Sequence, residues 1–201
     1  MPSGRCSLVV RAVRNSLRRR IFPVGLALLL VGGPLSAAAA HEWFAPDPPL
    51  FSLSAGAAQI FDSRQEVYWG LEYRPAFRFF HLGPWLFFGT GKSDEFYAAV
   101  GVLLNLELGR GWVLTPGFGG GYYNASSGLD LGFDAEFRTG VELAKRFPNG
   151  HRLGLSLAHL SNGSLSDKNP GTETLGLVYS IPLDFLFRRG PAAPPSAPPA
   201  E

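Results

Sequence analysis

His159 and Ser161 stand two residues apart near the C-terminal end of the chain, and Glu173 follows twelve residues after the serine. A hydroxyl, an imidazole and a carboxylate are the parts of an activated serine: the imidazole takes the hydroxyl proton and the carboxylate fixes the imidazole tautomer. The three residues share odd parity with Leu153, Leu155 and Leu157 before them and with Leu175, Leu177, Ile181 and Leu183 after them. On extended strands that parity puts all of them on one face. If Ser161 lies roughly opposite Glu173 across a hairpin, their Cβ atoms are about 5 Å apart. His159 then stands one pleat repeat, about 6.6 Å, along the strand. The same residue types at this spacing also suit a polar cap at a strand end near lipid headgroups, or a satisfied histidine in a soluble core.

The elements that must position these residues read as strands throughout. Extended runs at about 51–61, 65–75, 79–90, 95–108, 111–123, 130–147, 151–162 and 172–187 are separated by clusters of Gly, Asn, Asp, Pro and Ser, the residues that turns require. Parity splits each run into an apolar and a polar face. Val67, Trp69, Leu71 and Tyr73 oppose Glu66, Glu72 and Arg74; Phe96, Ala98, Val100 and Val102 share a face that excludes Asn105 and Glu107; Phe133, Ala135, Phe137, Val141 and Leu143 oppose Asp134, Glu136, Arg138 and Glu142. A soluble sandwich also alternates. Strands of ten or more residues are long enough to cross a bilayer at a tilt, however, where roughly 9–11 are needed. Their polar faces mix charges with small residues, as a narrow lumen requires, and aromatic residues collect toward strand ends. The expected fold is therefore all-β, an eight-stranded antiparallel transmembrane β-barrel of the outer-membrane type. Its apolar face points to lipid, with Arg138, Glu142 and Arg152 inside. "GRG" and "PNG" make tight turns on the periplasmic side, and longer connections face outward.

Composition agrees. The 201 residues are 46% hydrophobic and 17% charged. The formal charge of +2 is carried by the N-terminal segment, where residues 1–40 hold six arginines and no acids. Setting these aside leaves 12 basic against 16 acidic residues, a net of −4, so no basic footprint supports a nucleic-acid partner. "RNSLRRR", the apolar "IFPVGLALLLVGG" and the small-residue "LSAAAA" have the order of a cleaved export signal over residues 1–40,. The barrel is expected over 41–188, and the Pro/Ala-rich 189–201 as a disordered tail. The one cysteine, Cys6, falls in the signal; the mature chain then has no thiol chemistry. His41, His81 and His151 lack metal-ligand spacing, and Asp130 and Asp134 lack a calcium-loop pattern, so neither metal nor cofactor is expected. "GFGGGYY" at 117–123 is a strand whose small residues permit curvature, not a phosphate loop.

The stretch "AHLSNGSLSDKNPGTETLGLVYSIPL" resembles the terminal signature of the lipid A 3-O-deacylase (PagL) family. His159, Ser161, Asn162, Asn169, Gly171, Glu173 and the "IPL" of 181–183 carry the likeness. "GSL" at 163–165 stands where that signature has smaller residues, and the chain continues past the last strand. The resemblance implies an eight-stranded outer-membrane barrel that hydrolyses the ester-linked 3-O-acyl chain of lipid A. It implies a triad of Ser161, His159 and Glu173 on the lipid-facing surface. Lipid A in the outer leaflet is the expected partner, with a second copy of the chain an optional one. Asn162 and Asn169 are the candidates for orienting the substrate or donating to an oxyanion, as are backbone amides of 162–164. The reading from another class is a non-catalytic small barrel with a structural or adhesive role.

Overall fold

The computed structural model describes residues 47–62 and 65–184. The expected export signal with Cys6, His41, the strand-end residues Phe185 and Phe187, and the tail lie outside the described residues. The strands are β1 (Leu50–Ala58), β2 (Glu66–Arg74), β3 (Leu82–Gly91), β4 (Phe96–Leu104), β5 (Leu106–Gly109), β6 (Trp112–Asn124), β7 (Ala135–Arg146), β8 (Arg152–Ser161) and β9 (Thr172–Pro182). Each pairs antiparallel with its sequence neighbour, save that β4 and β5 both pair with β6, and β1 pairs with β9, so the sheet closes on itself. Closure leaves no edge and satisfies the backbone without water.

β4 and β5 form one stave. Leu103 faces Gly117 and Leu106 faces Leu114, so the register is unbroken across Asn105. Pro116, which this register sets opposite Leu104, has no N–H to give to a ladder. Counted by staves, the barrel has the eight strands expected. Four boundaries differ from the expected ones by three residues or more: β1 ends at Ala58 and not at 61, β9 ends at Pro182 and not at 187, and β3 and β7 start late. β3 begins at Leu82 and not near 79, because Phe79 and Leu82 close a tight turn through Phe80 and His81, both at positive φ. β7 begins at Ala135 and not at 130, because the Gly132 N–H donates to Asp130 Oδ1 and the chain turns there before the strand starts.

The faces fall as parity predicts. Leu153, Leu155, Leu157 and Leu175 are exposed on the exterior, while Arg152 and Glu142 are buried inside. Exposed Trp69, Val100 and Leu177 continue the apolar exterior around the wall.

Charge fills the lumen at the end where β1 starts and β9 finishes. Asp47, just before β1, turns inward and accepts from Asn105, Arg152 and, at 3.2 Å, Arg146. Arg74 bridges Glu72 and Glu142, and Arg146 also meets Glu107. Toward the other end the lumen is aromatic. Trp85, Tyr97, Tyr123, Leu131 and Leu160 form a buried cluster, with the Arg138 guanidinium 4.9 Å from the Phe87 ring centroid, in range of a cation–π contact. The small residues of β6 make room here. A Cβ at Gly119 would come 2.6 Å from the Trp85 indole, which lies across the lumen.

Candidate active site

β8 and β9 run side by side with Leu155 opposite Leu177, Leu157 opposite Leu175 and His159 opposite Glu173. The histidine, not the serine, therefore faces the glutamate. Continuing the register one step sets Ser161 opposite Gly171. The expected pairing of Ser161 with Glu173 is off by a slide of two residues, which leaves every side chain on its predicted face. What fixes the slide is the end of the ladder. Gly171 has a φ of +67°, and the Asn162 N–H leaves the ladder to bond Asn169 Oδ1 at 3.1 Å.

His159 Nδ1 lies 3.0 Å from Glu173 Oε1. Both side chains are on the exterior, the imidazole about half exposed. Its other edge is turned along the barrel toward the row of Ser161 and Gly171. A Cβ on Gly171 would come 2.8 Å from His159 Cε1 and 3.4 Å from Nε2. On the β7 side, Thr139 stands opposite His159 and Phe137 opposite Ser161. The Phe137 ring stacks on that of Phe118, centroids 6.1 Å apart. The wall beside the serine is thus apolar, with leucines below it on β8 and β9.

The other two sequence candidates lie in the ten-residue connection between β8 and β9. Asn162 is fully buried, and its Nδ2 donates to the Leu131 carbonyl at 3.0 Å and the Lys168 carbonyl at 2.8 Å. Its Oδ1 accepts the Ser164 N–H, and its carbonyl accepts the Leu165 N–H. Asn162 thus holds the connection in shape, and its own amide hydrogens and the N–H groups of Asn162 and Ser164 are already engaged. Asn169 is exposed, and its Oδ1 must be the atom that meets the Asn162 N–H, since only oxygen accepts there,. Its Nδ2 therefore points the other way. The same connection carries Lys168, which bonds Asp130 at 2.5 Å; the ammonium, with the Gly132 N–H, holds that carboxyl below the usual carboxylate range.

A family model described as lipid A 3-O-deacylase (PagL) matches residues 63–182. The chain belongs to the PagL family. All of β2 through β9 falls in the matched range, His159, Ser161 and Glu173 with it. The crystal structure of the outer membrane enzyme PagL aligns with a TM-score of 0.56 at 20% identity, covering 67% of this chain and 99% of that one. Neisserial surface protein A aligns at 12% identity with a TM-score of 0.46, covering 67% and 95%. At 20% identity the likeness to the PagL structure is one of fold. No curated protein sequence matches significantly.

For this PagL family member, sequence reasoning left two residues near the site without a role. Leu131 falls in the run 130–147 expected as a strand, yet it sits in the β6–β7 connection and is buried, and nothing in "GLDLGFD" marks it as an anchor. Gly171 was part of the motif, but the contact of its missing Cβ with the imidazole exists only in three dimensions.

Proposed function

We propose that the chain is an outer-membrane ester hydrolase that removes the 3-O-acyl chain of lipid A, with Ser161 as nucleophile, His159 as base and Glu173 as the group that orients it. The observation that carries this is the His159–Glu173 hydrogen bond on the lipid-facing wall, with Ser161 next on the same face. Polar residues belong on such a wall only at its rim, and these sit at the rim from which the two ten-residue connections rise. The acyl esters of lipid A lie just below its headgroups, so an ester embedded in the outer leaflet meets this rim from outside the barrel.

The reaction runs in two halves. Ser161 Oγ attacks the ester carbonyl while His159 Nε2 takes its proton, and the C–O bond to the sugar breaks as the imidazolium returns that proton to the departing 3-oxygen. A water molecule, deprotonated by His159, then hydrolyses the acyl-serine and releases the fatty acid. Glu173 keeps Nδ1 protonated and steadies the imidazolium. The negative charge that develops on the carbonyl oxygen needs donors in a place poor in water. Asn169 Nδ2 is the side-chain donor we assign to it, since its Oδ1 is taken by the Asn162 N–H and the amide nitrogen is left for another acceptor.

The test is mass spectrometry of lipid A from cells carrying the chain, the Ser161→Ala variant, or neither. Loss of one ester-linked hydroxyacyl group in the first alone is the expected result. Unmodified lipid A in all three would leave the non-catalytic barrel as the reading.

A further inference from the structure

The β8–β9 connection is ten residues long and rises beyond the sheet, where such a segment is ordinarily mobile. Here it is held from a second connection, that between β6 and β7. Three contacts join them. The Leu131 carbonyl accepts from Asn162 Nδ2 at 3.0 Å. The Asp130 carboxylate takes the Lys168 ammonium. Between these, Gly132 lies flat against the Lys168 carbonyl, so close that a Cβ would stand 2.1 Å from its oxygen, and its φ of +91° is one that other residues rarely adopt. The β6–β7 connection is itself anchored. The Leu131 side chain, 1% exposed, drops into the mouth of the lumen and packs in the cluster that contains Tyr97, Tyr123 and Leu160. Leu160 is the inward residue between His159 and Ser161. Tyr123 adds a hydrogen bond from its hydroxyl to the Leu129 carbonyl at 2.8 Å.

We propose that the β6–β7 connection positions the reaction centre: Leu131 as the anchor, Gly132 as the seat and Asp130 as the latch hold Asn162, and through it Asn169, at the height of the ester. This rests on the deacylase reading above. None of the three touches substrate; each acts through Asn162 or Lys168. Their contribution belongs in turnover more than in binding, because acyl-chain affinity comes from the leucine wall, while the oxyanion donor must be placed to within a fraction of an ångström. A role confined to holding the barrel together would instead change stability and leave the turnover of folded protein alone.

The experiment uses the full chain folded in detergent micelles containing lipid A. Leu131→Ala and Gly132→Ala are expected to lower kcat between about 10- and 100-fold, with KM moved by less than about twofold. Asp130→Lys is expected to lower kcat, and the added Lys168→Asp to recover most of it. Amide exchange of residues 162–169 should accelerate in Leu131→Ala and Gly132→Ala, with β8 and β9 unchanged. Parental kcat and parental exchange in folded variants would overturn the proposal. Both partners of the swap are exposed, so that pair decides even if Leu131→Ala does not fold: failure of Lys168→Asp to restore Asp130→Lys overturns the latch. Should the parent itself not deacylate lipid A, the functional reading fails separately. The exchange of 162–169 then decides alone whether one connection holds the other.

Discussion

At His159 the nitrogen bonded to Glu173 is Nδ1, which leaves Nε2 as the one that can receive a proton from a hydroxyl,. The division of labour follows from that tautomer. On the proposed roles, Ser161→Ala would remove the nucleophile and His159→Ala the base, so each should abolish deacylation in a barrel that still shifts on heating in a denaturing gel. Glu173→Ala removes only the orientation; in serine hydrolases the corresponding loss is smaller by a factor on the order of 10². Single-turnover rates on purified lipid A measure all three, and parental turnover in Ser161→Ala would end the assignment. Asn169 carries a different expectation. If its Nδ2 donates to the oxyanion, Asn169→Ala should cost about 2.7–4 kcal/mol in the transition state, on the order of 10²–10³ in kcat. Asn169→Asp should lose more, since it sets like charge beside the oxyanion. Near-parental rates in both would make Asn169 a turn residue before Pro170.

Strand geometry accounts for what could be read in advance and what could not. Parity has a period of two, so Leu157, His159 and Ser161 had to share a face whatever the details. Register is a different quantity. A slide by two residues conserves every face, and the sequence has no term that forbids it. Only the bonds that end the ladder, Asn162 N–H to Asn169 Oδ1 and the turn at Gly171, set His159 rather than Ser161 against Glu173. The start of β7 escaped for a related reason: Phe133 has the right parity, but Asp130 and Gly132 make a turn first. Gly171 gives this scale its prediction. Gly171→Ala meets both an unfavourable φ and the imidazole edge,. It should displace His159 and lower turnover sharply. A Ser161-directed organophosphonate should label the variant more slowly than the parent, whereas equal labelling rates would show that the ring has room to spare.

Over the whole barrel, the lumen charges form a network whose centre is Asp47, a residue contributed by the segment ahead of β1. A lone acid in "APDPPL" gives no sign of this; its partners come from β5's flank, β7 and β8. Asp47→Ala leaves Arg152 buried without its carboxylate. Breaking one partner from a buried pair costs about 3–5 kcal/mol, so the heat-modification temperature should fall while the turnover of folded protein, at the other end of the barrel, stays near the parent's. An unchanged transition would mean that Glu142 and Glu107 suffice for the arginines. The same packing has a bearing on the cell that carries the protein. Among the described residues, arginine–carboxylate pairs cross one half of the lumen and Trp85, Tyr97 and Tyr123 the other, so the barrel is expected to conduct no ions. Reconstituted in a planar lipid bilayer it should be electrically silent, and cells rich in it should admit no more of a small hydrophilic dye than cells without it. If its chemistry is done on the outer wall, as proposed, the interior is free to be filled, and the permeability barrier around it would be left intact.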